Sequence, residues 1–165
     1  MLQRPSGGSA KQHPRGAGAG VERVVIIHSL AHARAALSAA REAGTAVTLA
    51  SAAAAAGYAG PAWFQAIIAR AAAAVPGAPF SAILDCGAEA GTALAALRHG
   101  VRRVRFAGNA EAGRRLAEIA AELGAAVERE PAGAPLDLLD SPDPEAACRR
   151  FLAGAGPGTA RCLGR

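Results

Sequence analysis

A chain of 165 residues can build one compact core, but it is too short for a complete eight-unit (β/α) barrel, which typically needs about 250. Its hydrophobic fraction of 52% rests largely on alanine, and only 4% of residues are aromatic, so Tyr58, Trp63, Phe64, Phe80, Phe106 and Phe151 must supply much of the large buried surface. The net charge of +5 comes from scattered arginines, with Lys11 the single lysine, and this dispersion argues against nucleic acid as the partner.

Residues 1–20 are rich in Gly, Pro, Ser and basic side chains and poor in large apolar ones, so they read as a disordered basic tail ahead of one domain over 21–165. From Val21 onward, short β-branched runs alternate with alanine-rich amphipathic stretches, the mark of parallel β/α units. Strands are expected over 23–28, 46–51, 80–85, 103–107 and 125–129, with a weak sixth over 159–163. Helices are expected over 31–43, 63–74, 90–98, 111–123 and 144–153. Gly44, Gly77, Gly100 and Gly124 sit where helices should close, while Asp143 and Pro144 read as the N-cap and first residue of the last helix. The segment Leu136-Asp137-Leu138-Leu139 receives no assignment. The fold class is therefore α/β, with parallel (β/α) units forming a partial TIM-barrel-like domain of five to six strands.

The three cysteines, Cys86, Cys148 and Cys162, show no paired spacing and read as reduced thiols. No apolar run reaches membrane-spanning length, and the N-terminus has no hydrophobic signal core, so a cytoplasmic protein with no membrane partner is expected.

The densest chemistry lies at Leu84-Asp85-Cys86-Gly87, where a buried strand gives way to a helix, the place where α/β proteins hold ligands. Asp85 reads either as a general acid or base or as a helix N-cap. Cys86 reads as a ligand, a reactive thiol or a small buried side chain. His28 falls on the same rim at the end of the first strand. His32 is expected to be solvated, and His99 to sit at a helix C-terminus. Tyr58 and Trp63 fall in a loop suited to walling a pocket, with Phe64 docking the helix on the sheet. Arg105 reads either as a contact for an anion or as an inter-strand residue.

The order of these pieces resembles the class II fructose-bisphosphate aldolases, a zinc-dependent TIM-barrel family. The matching stretches are Ala36-Leu37-Ser38-Ala39-Ala40-Arg41-Glu42-Ala43-Gly44-Thr45-Ala46-Val47, Leu49-Ala50-Ser51, Tyr58-Ala59-Gly60, Leu84-Asp85-Cys86-Gly87, Ala95-Ala96-Leu97-Arg98-His99-Gly100-Val101, Val127-Glu128-Arg129-Glu130 and Ser141-Pro142-Asp143-Pro144-Glu145-Ala146-Ala147. The resemblance implies Asp85 as catalytic acid/base, Cys86 in place of a zinc-binding histidine, Glu130 as a further metal-site residue and Ser51 as a substrate contact. His28-Ser29 and Ala107-Gly108-Asn109 replace an Asn-rich segment and an Asp-Gly-Ser of the family. No histidine follows His99, so the family's two later zinc-binding histidines and its phosphate-gripping loops have no counterpart here.

The combined expectation is a non-catalytic or repurposed aldolase-like domain that self-associates to cover open strand edges. It would bind a small anionic metabolite through His28, Ser51, Tyr58 and Asn109, beside Asp85. One alternative is a zinc-dependent lyase, with Cys86 and Glu130 on the metal and the site completed by a partner subunit. The other is a basic scaffold that binds RNA or protein through its tail.

Overall fold

The computed structural model describes residues 22–130 and 133–154. In chain order the elements are β1 (Val24–Ile27), α1 (Leu30–Ala43), β2 (Val47–Ser51), α2 (Ala55–Tyr58), α3 (Pro61–Ala74), β3 (Phe80–Asp85), α4 (Ala90–Arg98), β4 (Arg103–Arg105), α5 (Ala110–Glu122), β5 (Ala126–Glu128), β6 (Leu136–Asp137) and α6 (Pro144–Leu152). The six strands form one sheet in the order β5-β4-β3-β2-β1-β6, and every pairing is parallel. The α/β class built of parallel units is thus observed.

The expected boundaries match these elements closely, with two additions: the rim loop expected around Tyr58 begins as the short helix α2, and a further strand lies in the segment 136–139. Among the described residues the sixth strand is Leu136–Asp137, paired to β1 through Val25 and Ile26, and it comes from the segment left unassigned. The stretch 159–163 and the tail 1–20 lie outside the described residues. Helix ends follow local chemistry. Ser29 accepts the N–H of His32 at the start of α1, Gly44 closes that helix in the left-handed conformation, and Asp143 caps α6 by accepting from Ala146.

Parallel strands laid down in sequential order, with right-handed crossovers, place their helices on one face of the sheet. Accordingly α1 packs between α6 and α3, and α4 packs against α5. The core between sheet and helices takes every second strand residue: Val25 and Ile27, Val47 and Leu49, Leu84, Val104 and Phe106. Phe64 is buried in this layer, as expected of the residue docking its helix.

The intervening residues face the other way. Val24, Ala50 and Ile83 are fully buried yet belong to no part of the helix-side core. Their neighbours on this second face are Thr48, Ser81, Arg103, Arg105 and Glu128. Arg103 on β4 reaches Glu22, which precedes β1, at 2.8 Å. Those chains are three strand spacings apart, about 14 Å across a flat sheet, and Glu22 lies four residues before Ile26, the residue level with Arg103, which adds an offset of about 13 Å along the strands. Two extended side chains do not reach that far, so the sheet curls and this face is concave. The curl is what buries apolar side chains where no helix lies, as the interior of a barrel does.

Gly108, in the turn leaving β4, shows how tightly this end is packed. A Cβ there would stand 2.2 Å from Phe106 Cζ and 2.8 Å from the Ala88 carbonyl oxygen. Gly108→Ala is therefore expected to lower stability by about 1–3 kcal/mol, the range for overpacking, as read by urea denaturation. An unchanged unfolding midpoint would show that this packing is not tight.

Candidate functional site

The strand register aligns side chains of the concave face in rows. One row runs Asp137, Ile26, Ala50, Ile83, Arg103, Ala126. Continuing the same pairings two residues towards the carboxyl ends gives the rim row His28, Ala52, Asp85, Arg105, Glu128. Two arginines on β4 therefore lie on the concave side, one row apart, because strand residues i and i+2 share a face.

Arg103 is fully used. Its guanidinium donates to Glu128 at 2.7 Å, to Ser81 at 2.6 Å and to Glu22 at 2.8 Å. The Glu22 carboxylate also accepts from Thr48 at 2.6 Å. Burial opposes the charge on Arg103, but the bonds and charges of Glu128 and Glu22 outweigh it and hold the group above its ordinary range.

Arg105 is not fully used. Nη1 donates to Asp85 Oδ2 at 3.3 Å, while Nε and Nη2 are buried and have no hydrogen-bond partner. The side chains of Arg105 and Asp85 are each 11% exposed. Asp85 is engaged at both oxygens, since Oδ1 accepts the N–H groups of Ala54 at 2.8 Å and Gly87 at 2.9 Å. Its carboxylate thereby ties the loop after β2 to the loop after β3. Both loops pass through left-handed backbone here, with Ala54 at φ 53° and Gly87 at φ 58°. Asp85 does not cap α4, whose N-cap residue is Glu89.

At the other end of the row, His28 Nε2 lies 2.7 Å from Asp137 Oδ1, and the backbone N–H of His28 donates to His32 Nδ1 at 3.3 Å. The two imidazoles meet edge to face with centroids 6.0 Å apart. His32 is thus half-buried against His28 rather than solvated, because the turn from β1 into α1 folds it back over the strand end. Burial and the neighbouring His28 push its pKa down. Burial of Asp137 is outweighed by the Leu139 N–H and His28, which hold its carboxyl below the ordinary range.

The remaining expected site residues lie elsewhere. Ser51 is buried on the helix side, accepting from the Asp85 N–H at 2.9 Å and donating to the Ala52 carbonyl, so it braces the ends of β2 and β3. Tyr58 is 71% exposed at the end of α2. Asn109 caps α5 by accepting from Ala112 at 2.8 Å, and borders a groove of about 450 Å³ between α4 and α5. Cys86 sits in the helix-side core, and burial, with the nearby Asp85, pushes its thiol up to about 12. Glu130 is exposed beyond β5, two strands away from Cys86. The two side chains expected to share a metal do not converge, and no cluster of three His, Cys, Asp or Glu suited to a metal occurs among the described residues. The placement does not fit the zinc site that the resemblance implies.

Sequence reasoning missed Asp137, Glu22 and Glu128. The alternation Leu136-Asp137-Leu138 was the available signal for Asp137, being a short strand with one polar side chain on the concave face. No known family model matches the chain, and no curated protein matches it either. Among the described residues, no helix is long and apolar enough to cross a membrane.

Two outcomes are expected. Asp85→Ala, which strips two backbone donors and Arg105 of their acceptor, should cost about 3–5 kcal/mol in chemical denaturation, and a cost below 1 kcal/mol would show that the two loops are held by other means. His32 has a folded pKa below the ordinary 6.5, so the unfolded chain takes up more protons as pH falls through that value. Its contribution is complete above pH 6.5 and lost below it. The urea midpoint should fall between pH 7.5 and 5.5, and His32→Gln should flatten that fall; an unchanged slope would assign it to other groups.

Proposed function

We propose that this chain is a divergent, repurposed aldolase-like domain that binds a small anionic metabolite on the concave face of its sheet and performs no aldol cleavage. The observation that supports the reading best is Arg105. A buried guanidinium with two unmet donors is costly, and the unmet pair, Nε and Nη2, forms one edge of the planar fork. That edge matches two oxygens of a carboxylate or phosphate group. Asp85 fixes the opposite corner of the guanidinium, and because both atoms of the free edge are buried, an anion reaches them by displacing the side chains that cover them.

The rest of the proposal follows from the architecture. The outer sides of β5 and β6, at the two edges of the sheet, make self-association the simplest cover. A cytoplasmic location fits the lack of a spanning helix among the described residues and the buried free thiols of Cys86 and Cys148. A partner-completed zinc lyase has less support, because Cys86 faces the helix layer while Asp85 faces the concave side. No particular observation among the described residues favours the scaffold reading.

The test is thermal unfolding with malonate and with inorganic phosphate as probes. At 100 times Kd, an anion bound only to the folded chain adds about 2.7 kcal/mol. Arg105→Met should abolish that gain while leaving the unliganded protein folded. Equal stabilisation of the variant and the native chain, or of neither, would overturn the reading.

A further inference from the structure

Resting on that anion site, we infer that the rim is also a metal-free proton-transfer centre, in which His28 is the general base and Asp137 its positioning residue, acting on a small oxo-acid or acyl phosphonate whose anionic end lies against Arg105. Three observations converge. First, His28 and Asp137 make the base–orienter pair from which such centres are built, at 2.7 Å. Asp137 is itself held, since the same Oδ1 accepts the N–H of Leu139 at 2.9 Å. A carboxylate can only accept here, so it fixes the His28 proton on Nε2 and leaves Nδ1 as the basic lone pair.

Second, the base is fixed in place. The His28 backbone N–H is tied to His32 Nδ1, and the His32 ring stands edge-on to the His28 ring. The His28 side chain is 20% exposed, so it is walled in without being sealed from solvent.

Third, the base and the anion-holding edge occupy one row of the same concave face. Between His28 and Arg105 on that row stand only Ala52, with a single methyl group, and Asp85, which is drawn back onto Ala54 and Gly87. Closer to the amino ends of the strands, Arg103 and Glu22, equally three strands apart, meet directly. The curl therefore brings β4 and β1 within one arginine plus one acidic side chain of each other. A molecule of about three carbons would occupy the corresponding span between Arg105 and His28, displacing the packing that covers Arg105 Nε and Nη2.

The step balances without an oxidant or a metal. His28 Nδ1 takes a proton from the carbon next to the substrate's carbonyl, and the C–H electron pair moves onto the carbonyl oxygen to give an enolate. The imidazolium then exchanges its proton with solvent and returns one to the same carbon. In deuterium oxide the net result is replacement of C–H by C–D.

Pyruvate and acetylphosphonate are the probes, being a carboxylate and a phosphonate with the same acidic methyl group. Proton NMR of the full chain in deuterium oxide should show loss of the methyl signal, with Kd measured separately by calorimetry. His28→Ala should slow exchange by about 100-fold, the lower bound for general base catalysis, with Kd unchanged and with free imidazole restoring the rate. Asp137→Asn should lower the rate at saturating probe without raising KM. Binding of either probe with no exchange above the buffer rate would overturn this inference and leave the anion site standing. Exchange undiminished in His28→Ala would overturn it equally, and failure of both probes to bind would remove the anion site and the inference together.

Discussion

Arg103 is gripped by Glu128 on the adjacent strand and by Glu22 at the far side of the sheet, and this one charge cluster is the constraint on which the shape of the concave face depends. An arginine placed on the inward side of a curled sheet cannot be left unpaired, since an isolated buried charge costs far more than a fold of this size can spare. Glu22 can meet it only if β1 and β4 approach one another. Curvature and charge pairing therefore support each other: flattening the sheet would break the bond, and losing the bond would remove a reason to curl. Ser81 and Thr48 fill the space between, joined to each other at 2.8 Å, so the crossing is polar throughout.

The two arginines of β4 then differ for a simple reason. Arg103 opens β4 near the amino ends of the strands, where acidic residues converge on it from two sides. Arg105 lies one row nearer the rim, where its acidic neighbour Asp85 has already committed one oxygen to two backbone N–H groups. One carboxylate cannot serve both the loops and the whole guanidinium. The loops hold left-handed backbone at Ala54 and Gly87 that needs that support, and a Cβ on Gly87 would stand 3.0 Å from the Ala54 Cβ. The unmet edge of Arg105 is the consequence of a local competition that the loops win.

Most of the fold was legible in the sequence because its elements are long relative to their errors and are punctuated by strong end signals. β3 and α4 fall on the expected boundaries, and Gly44, Asp143 and Pro144 act as their residue types require. β6 escaped because a two-residue strand has almost no periodicity of its own; its existence depends on the β1 edge that receives it. The short α2 escaped for a similar reason, being one turn that closes the rim. Site residues were less legible than elements. His28 and Asp85 could be placed on the rim from strand ends alone, but Asp137 and Glu22 become neighbours of His28 and Arg103 only through the order and curl of the strands.

The pair Asp85 and Cys86 shows why adjacency in sequence misleads at a strand end. Successive strand residues point to opposite faces, so a carboxylate and a thiol side by side in the chain lie on opposite sides of the sheet. Asp85 joins the concave row through its pairing with Arg105, while Cys86 enters the helix-side core with Leu84 and Phe106. For both to hold one ligand, the strand would have to end between them and the chain reverse its facing. Instead, the Cys86 N–H still bonds the Arg105 carbonyl at 2.9 Å, so the ladder continues through the pair. The side chains that share this rim are therefore spaced by two along each strand and aligned by register across the sheet. That rule selects His28, Asp85 and Arg105 together and leaves Cys86 as packing.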